Sequence, residues 1–293
     1  MADRVPATVT ATTATTGNND SDQANVGFAA SKLGTREHWD EMYDRELANF
    51  GENEQDLGEV WFGEQAAYKM VRWVRKQVLD GKMRNDVEIM DVGCGNGHLL
   101  LLLATGAETL DDLDELEQAN SDEEDDERDD DEEEDDEEMI KFTKVLGVDY
   151  SEPGIALAKS VAVKYGLEDK INYEVADVLS SETTNKWNQR FDIILDKGTY
   201  DAICLCAESD ETSDGNEGRK VDVRRGIKYP PSMAEMLKDG SGLLVITSCN
   251  WTIDELIQQF SQWFDLHGKI EHPAFKFGGK VGQSVSTAIF KKK

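Results

Sequence analysis

The sequence has few residues of the kinds that form metal sites or disulfides, with only four cysteines and four histidines among 293 residues. The cysteines form no C-x-x-C pair, and the histidines are scattered along the chain. This pattern indicates free thiols in a reducing compartment and predicts that no metal is bound. The four thiols belong to Cys94, Cys204, Cys206 and Cys249.

Long apolar runs and targeting signals are also missing. The longest apolar run, Leu99 to Ala104, is far too short to cross a bilayer. Residues 1–30 contain one arginine and three aspartates, and no charged segment followed by an apolar one. They therefore resemble neither a mitochondrial presequence nor a secretion signal. We expect a cytoplasmic protein that does not bind a membrane.

Positive charge is scarce. The chain has 61 acidic and 31 basic residues, a net charge of −30, but residues 108–138 alone hold 22 acids and one base. The remainder carries 39 acids against 30 bases, so we expect a moderately acidic folded part. Without a basic patch, nucleic-acid binding is not expected. A basic protein partner suits this surface better, and the acidic run is either a solvated insertion or a segment that steers such a partner.

Composition divides the chain into one domain and three polar segments. Residues 1–32 lack periodicity and are predicted to be a disordered tail. Residues 33–293 are predicted to form a single domain. A disordered acidic insertion at 108–138 and a polar loop at 207–224 interrupt it.

From Val87 onwards, short apolar strands alternate with amphipathic helices. This pattern predicts an α/β, Rossmann-like fold with a mostly parallel sheet covered by helices on both faces. A capping box at Thr252 opens a late helix that we expect to bury Phe264, and the last two strands are predicted to form a hairpin. The predicted helices are 35–50, 63–79, 98–105, 153–165 and 229–237, and the predicted strands are 87–92, 145–148, 171–175, 191–195, 243–247, 270–277 and 284–290.

A glycine-rich turn follows the first predicted strand, in the run Asp91-Val-Gly-Cys-Gly-Asn-Gly97. Glycine at these positions lets a ligand approach the backbone and the amino terminus of the next helix. The dinucleotide fingerprint requires a further glycine where His98 stands, so an NAD-dependent dehydrogenase is disfavoured.

An acid ends the second strand at a distance typical of nucleoside-binding folds. Asp149 lies 52 residues after Gly97, and leaving out the 31 residues of the acidic insertion reduces the spacing to 21. In such folds an acid about 20 residues beyond the glycines binds the ribose hydroxyls. The alternative interpretation is that Asp149 caps the helix that starts near Ser151.

Acids also end the next two strands. Asp177 is placed to accept a hydrogen bond from an adenine amino group, Val178 can pack on the adenine ring, and Asp196 ends the fourth strand. The carboxyl ends of parallel strands meet at one edge of a sheet, where open α/β folds bind their ligands. The sequence therefore predicts a nucleoside site at this edge.

Specific motifs add a resemblance to a known family, the class I, seven-strand methyltransferases. More specifically, residues 33–292 resemble the lysine methyltransferases of elongation factor 1-alpha. The resemblance implies a sheet order of 3-2-1-4-5-7-6 with the last strand antiparallel, S-adenosylmethionine as cofactor, and a lysine of elongation factor 1-alpha as substrate. The motifs are Leu33-Gly-Thr-Arg-Glu-His-Trp-Asp40, Trp61-Phe-Gly-Glu64, Asp196-Lys-Gly-Thr-Tyr-Asp201, Thr247-Ser-Cys-Asn-Trp-Thr252 and Phe275-Lys-Phe-Gly-Gly-Lys-Val-Gly282.

By position, the resemblance also implies a set of cofactor-binding residues. The glycine loop would line the methionine part of the cofactor, Asp149 would hold the ribose, and Trp61 with Phe62 would close over it. Asp177 and Val178 would hold the adenine. The full predicted set is Trp61, Phe62, Asp91, Gly93, Cys94, Gly95, Asn96, Gly97, Asp149, Tyr150, Ser151, Asp177, Val178, Asp196 and Lys197.

Methyl transfer to a lysine requires a neutral amine in line with the methyl group, whereas a free lysine has a pKa of about 10.4. The enzyme must therefore desolvate the amine or help to remove its proton. We expect Asp196, Tyr200 and Asp201 to orient the amine and Trp251 to form a wall of the lysine channel. Enzymes of this class that act on amide or adenine nitrogens usually carry an Asn/Asp-Pro-Pro-aromatic run after the fourth strand. Its absence here favours a lysine.

Two other functions stay open at this point: methylation of a small molecule, and cofactor binding without catalysis by a regulatory partner. The polar and aromatic groups expected at the sheet edge favour a protein substrate over a closed apolar pocket. The intact run from Asp196 to Asp201 favours catalysis over binding alone. A monomer is expected.

Overall fold

A computed structural model provides the structure of this chain. The residues that it describes are 31–107, 140–206, 209–211, 222–277, 280–283 and 285–293. The predicted disorder of the tail up to residue 30 and of the acidic insertion falls outside these residues, as does most of the predicted polar loop.

The order of the elements follows the predicted alternation of strands and helices. A short 3-10 helix, Lys32–Gly34, opens the described structure. The helices are α1 (Arg36–Glu52), α2 (Glu64–Leu79), α3 (His98–Thr105), α4 (Glu152–Lys164), α5 (Ser181–Lys186), α6 (Thr199–Cys204), α7 (Arg225–Met236) and α8 (Ile253–Phe260). The strands are β1 (Ile89–Val92), β2 (Val145–Asp149), β3 (Ile171–Val175), β4 (Ile193–Lys197), β5 (Ser209–Glu211), β6 (Asp222–Arg224), β7 (Leu243–Ser248), β8 (Phe264–Ile270), β9 (Ala274–Phe277), β10 (Lys280–Gln283) and β11 (Ser286–Lys292).

Seven strands form the main sheet, in the order β3-β2-β1-β4-β7-β11-β8. Counting only these seven strands along the chain, this is the predicted order 3-2-1-4-5-7-6, which is therefore confirmed. The strands run parallel except β11, which is antiparallel to both of its neighbours. The carboxyl ends of β1, β2, β3, β4 and β7 consequently meet at one edge, called the carboxyl edge below.

The inner strands of the sheet are buried on both faces because successive side chains of a strand point to opposite sides and nearly all of them are apolar. Ile89 and Leu195 pack on one face, in a core shared with α1 to α4. Met90 and Ile194 pack on the other face, against α7 and α8. Two apolar layers hold the sheet between helices and fix the positions of its strand ends.

The end of α3 is anchored from α2. The guanidinium of Arg75 is buried, and its Nη2 donates hydrogen bonds to the carbonyl oxygens of Leu102 (2.5 Å) and Ala107 (2.9 Å). The Leu102 carbonyl also accepts from the Gly106 N–H, whereas Ala107 lies just beyond the helix. On the other side of the acidic segment, the Phe142 N–H donates a hydrogen bond to Leu103 O at 3.0 Å. The acidic segment thus connects α3 to β2.

The predicted end of the fold needs correction. The helix after β7 ends at Phe260, and Phe264 is the first residue of β8 instead of part of that helix. The predicted strand at 270–277 is wrong, because β8 ends before Pro273, which has no N–H group to continue the ladder. Residues 274–277 pair with β10 in a separate hairpin. The last two strands of the sheet, β8 and β11, are antiparallel neighbours.

Helix α7 also differs from its prediction. It begins at Arg225, four residues before the predicted start at Tyr229. Pro230 and Pro231 lie inside it, although proline is typical of the first turn of a helix. The two prolines therefore favoured a predicted start at Tyr229, which is later than the observed start at Arg225.

Candidate functional site

The glycine loop between β1 and α3 leaves no room for a side chain at Gly93 or Gly95. Gly93 and Gly95 adopt left-handed backbone conformations, with φ of 65° and 52°. A Cβ on Gly93 would overlap the side chain of Thr199, and one on Gly95 would come within 2.5 Å of the Tyr43 hydroxyl. Glycine is required here both by the backbone conformation and by the close approach of these neighbours. The loop is therefore a rigid cradle at the carboxyl edge.

Asp149, the last residue of β2, ties this loop to the next one. Its carboxylate accepts hydrogen bonds from the backbone N–H of Gly95 (3.1 Å) and of Ser151 (2.9 Å). Burial raises its pKa to about 6, and these backbone donors oppose the rise. The alternative interpretation of Asp149 as the cap of α4 is wrong, because Ser151 caps this helix by accepting from the Gly154 N–H.

Two cavities lie beside Asp149. The larger has a volume of about 300 Å³ and contains Asp177 and Val178 in its wall. One oxygen of Asp177 pairs with Arg225 at 2.8 Å, and the other accepts from the Leu179 N–H at 2.9 Å. The lining consists of residues 34–37, 92–93, 148–150, 176–179, Thr199, Ala202, Ile203, Cys206 and Arg225.

The smaller cavity, of about 70 Å³, lies over the glycine loop. Five residues line both cavities, so the two are neighbouring parts of one site. The shared residues are Gly93, Asp149, Tyr150, Thr199 and Ala202. The other residues that line the smaller cavity are Trp39, Tyr43, Glu59, Trp61, 94–96, Lys197 and Gly198.

The connection between α1 and α2 folds over the glycine loop. The Asn96 side chain donates to Leu57 O (2.9 Å), and the Lys197 ammonium donates to Trp61 O (2.9 Å). The ring centroids of Trp61 and Trp39 are 4.6 Å apart. Phe62 has a left-handed φ of 63°, which is strained for a residue with a side chain, and its ring packs on the backbone of Gly198.

The turn after β4 is organised by Asp196. This fully buried carboxylate accepts from the N–H groups of Thr199 (2.8 Å) and Tyr200 (3.0 Å) and from the hydroxyl of Tyr229. Burial raises its pKa to about 7. The same turn is fixed to β1, because the Thr199 hydroxyl donates to Val92 O at 2.7 Å.

Asp201 links this turn to the end of β7. Its carboxylate accepts from the Ser248 hydroxyl (2.5 Å) and from the Cys249 N–H (2.8 Å), and burial raises its pKa to about 6. Tyr200 stacks on Trp251 with ring centroids 5.9 Å apart, and both rings are buried. The four predicted catalytic residues thus lie together behind the carboxyl edge, and none belongs to the lining of the two cavities.

The predicted cofactor residues divide into two groups. Those that line one or both cavities are Trp61, Gly93, Cys94, Gly95, Asn96, Asp149, Tyr150, Asp177, Val178 and Lys197. Those that belong to neither lining are Phe62, Asp91, Gly97, Ser151 and Asp196. Asp91 is buried at the end of β1, where loss of solvent raises its pKa and the nearby positive charge of Lys197 opposes the rise.

Several residues of this site had no assignment from the sequence. Thr199 lines both cavities, Tyr43 packs on the loop from α1, and Arg225 faces Asp177 from α7. His98 is buried, and burial lowers its pKa to about 3, which keeps the ring neutral. Thr199 lies inside a motif that carried the resemblance, which was its only signal. Arg225 follows a polar stretch, and the sequence contains nothing to link it to this edge.

The described part of the chain contains neither a cluster of three or more metal-ligating side chains nor a helix long and apolar enough to span a membrane.

Comparison with known proteins gives consistent results. A family model described as "Methyltransferase domain" matches residues 132–291. The chain is 35% identical over 266 residues to the human protein "EEF1A lysine methyltransferase 2", covering 91% of this chain and 89% of that protein. It is 35% identical over 272 residues to "Protein-lysine N-methyltransferase efm4" of Schizosaccharomyces pombe, covering 90% and 95%. Among solved structures, a SAM-dependent methyltransferase from Anabaena variabilis superposes with a TM-score of 0.48 at 13% identity, covering 88% and 95%.

Proposed function

Since this chain belongs to the EEF1A lysine methyltransferase family of class I, S-adenosylmethionine-dependent methyltransferases, we propose that it methylates a lysine of translation elongation factor 1-alpha. The observation that carries the proposal is the match to protein-lysine methyltransferases along about nine-tenths of the chain. The cytoplasm, where this factor acts in translation, is the proposed location. We further propose that the enzyme is a monomer and that nucleic acid is not its substrate.

The residues at the carboxyl edge fit the cofactor of this family. The glycine loop packs against Thr199 and Tyr43 where Gly93 and Gly95 leave no room for a Cβ, and Asp149 reaches both cavities with an acceptor group. Asp149 would hold the ribose, Asp177 and Val178 would hold the adenine in the larger cavity, and the smaller cavity would take the methionine part. When bound, S-adenosylmethionine supplies a methyl group already activated by its sulfonium charge.

The chain's own task is to present a neutral lysine in line with that methyl group. Asp196 and Asp201 support this as positioning residues, because their hydrogen bonds fix the turn that carries Thr199 into both cavities. Tyr200 and Trp251 pack beneath the same turn and are proposed to shape the entry for the lysine side chain.

A double variant, Asp196→Ala with Tyr200→Phe, tests this assignment. We expect it to lose methyl transfer by about 100-fold or more, since general acid–base and positioning contributions are of this order. The measurement is transfer per bound cofactor, so that a loss of cofactor binding is counted separately. Full transfer by the folded double variant would exclude a role for this pair.

The function itself is tested by a transfer assay with radiolabelled S-adenosylmethionine. The substrates are purified elongation factor 1-alpha and a lysate from cells that lack this enzyme. Asp149→Ala serves as the inactive variant, and Asp169→Ala, at an exposed aspartate in the turn between α4 and β3, serves as its matched control. Thermal unfolding of both variants verifies that they are folded.

Label on the factor, lost in Asp149→Ala and mapped to a lysine by mass spectrometry, is the expected result. Label on another protein would support protein methylation but exclude elongation factor 1-alpha as the substrate. Label on small molecules alone would indicate a small-molecule methyltransferase. Cofactor binding without any transfer would indicate a regulatory partner instead of an enzyme.

A further inference from the structure

The smaller cavity contains one basic side chain in its lining, that of Lys197 at the end of β4. The two acids of this lining are Asp149, assigned above to the ribose, and Glu59, which is exposed at the rim. The N–H groups of residues 93–95 in the glycine loop are bonded within the protein, so the Lys197 ammonium is the positively charged donor of this lining. The inner end of the cavity is therefore suited to a ligand group of negative charge.

The ammonium of Lys197 has more hydrogen-bond donors than its bond to Trp61 O uses. An ammonium has three N–H donors, and one of them bonds to Trp61 O at 2.9 Å. Among the residues that the structure describes, no carboxylate oxygen lies within 4.0 Å of this nitrogen, although Asp91 and Asp196 are close enough to favour its charge. Burial lowers the pKa of Lys197, and the nearby charges of Asp91 and Asp196 oppose this change.

We propose that Lys197 binds the α-carboxylate of the cofactor's methionine part and so selects ligands that keep this carboxylate. The inference rests on the proposed function, since it assumes that the cofactor occupies this site. It explains why a buried cation stands at the end of a strand whose other residues are apolar or acidic. It also links binding to the α1–α2 connection, because the same ammonium holds the Trp61 carbonyl.

A second role for Lys197 is purely structural, as an anchor for Trp61. The two roles differ in what they demand of the ligand. An anchor would affect all adenosine ligands to the same extent, because it would act through the shape of the site. A carboxylate contact affects only ligands that have the carboxylate.

The test measures dissociation constants by isothermal titration calorimetry for two ligands, S-adenosylhomocysteine and its decarboxylated analogue, which retains the amine. Lys197→Met is compared with the wild type and with Lys82→Met, an exposed lysine in the turn after α2 that pairs with Asp80. Lys197→Gln is a second variant, since its amide keeps a donor for Trp61 O. Thermal unfolding establishes which variants are folded.

We expect Lys197→Met and Lys197→Gln to weaken S-adenosylhomocysteine binding by about 10-fold or more, the effect of losing a hydrogen bond between charged groups. Binding of the decarboxylated analogue should change by less than about 2-fold, and Lys82→Met should bind both ligands as the wild type does. Equal losses for both ligands, or no loss for either, would overturn the inference. If wild-type protein binds neither ligand, the proposed function fails before Lys197 is at issue.

Discussion

At the scale of single residues, the charge of Asp149 matters most for the proposed cofactor site. Its pKa is raised to about 6 by burial, so the carboxyl becomes neutral in mildly acidic solution. A carboxylate accepts hydrogen bonds from ribose hydroxyls more strongly than a neutral carboxyl does. Ligand binding therefore favours the ionised form, and affinity falls as the pH decreases through the pKa.

We expect the affinity for S-adenosylhomocysteine to decrease by about 5-fold between pH 7.5 and pH 5, consistent with about 1 kcal/mol for a strengthened hydrogen bond. Calorimetric titrations across this range measure the effect. Asp149→Asn cannot ionise and should bind more weakly, with an affinity that depends less on pH. Equally steep profiles for the two proteins would assign the titration to another group.

The same residues illustrate what a sequence can reveal about a site. Asp149 and the glycines were predictable because the loop and the strand end are local features with fixed spacing. The side chains that bond to Asp177 and Asp196 were not predictable, because they come from distant parts of the chain. Arg225 reaches Asp177 across 48 residues, and Tyr229 reaches Asp196 across 33. Only the packing of α7 on the sheet brings these pairs together.

At the scale of elements, the end of α3 depends on a side chain from α2. The buried guanidinium of Arg75 donates to Leu102 O in the last turn of the helix and to Ala107 O just beyond it, and Gly106 ends the helix in a left-handed conformation. We expect Arg75→Met to lower the free energy of unfolding by about 2–4 kcal/mol, because two buried acceptors lose a charged donor.

Urea denaturation of Arg75→Met beside Arg72→Met measures this contribution. Arg72 lies on the exposed face of the same helix, so its replacement should change stability by less than about 0.5 kcal/mol. Amide exchange should be faster in Arg75→Met, mainly at the end of α3. Equal stabilities for the two variants would show that water replaces the guanidinium at no cost.

Elements whose periodicity is strong were predictable, and those at the end of the chain were less so. Strands β1, β2, β4 and β7 are buried on both faces, and their apolar runs identify them. Strand β8 is an edge strand, and most of its side chains are exposed. It therefore has no apolar run by which the sequence could identify it. The apolar residues around Phe275 indicated a sheet strand there, whereas Pro273 separates them from the sheet.

At the scale of the whole molecule, the acidic segment is joined to the edge opposite the cofactor site. Helix α3 starts at the carboxyl end of β1 and returns to the start of β2, where the acidic segment connects them. The sheet is about 17 Å deep for strands of five residues. The screening length is about 8 Å at physiological salt, so charges near that far edge act weakly on the site. Extended, 31 residues could span about 100 Å and approach the substrate directly.

Steering of a basic substrate by this segment therefore predicts a strong dependence on salt. We expect deletion of residues 108–138 to lower kcat/KM for elongation factor 1-alpha by about 10-fold near 20 mM salt, because attraction between opposite charges speeds association. The difference should vanish near 0.5 M salt, where charges are screened within about 4 Å. A chain with a neutral Gly/Ser segment of the same length should behave like the deletion, since only the charge matters. Unchanged kinetics at low salt would identify the segment as a solvated insertion without a role in catalysis.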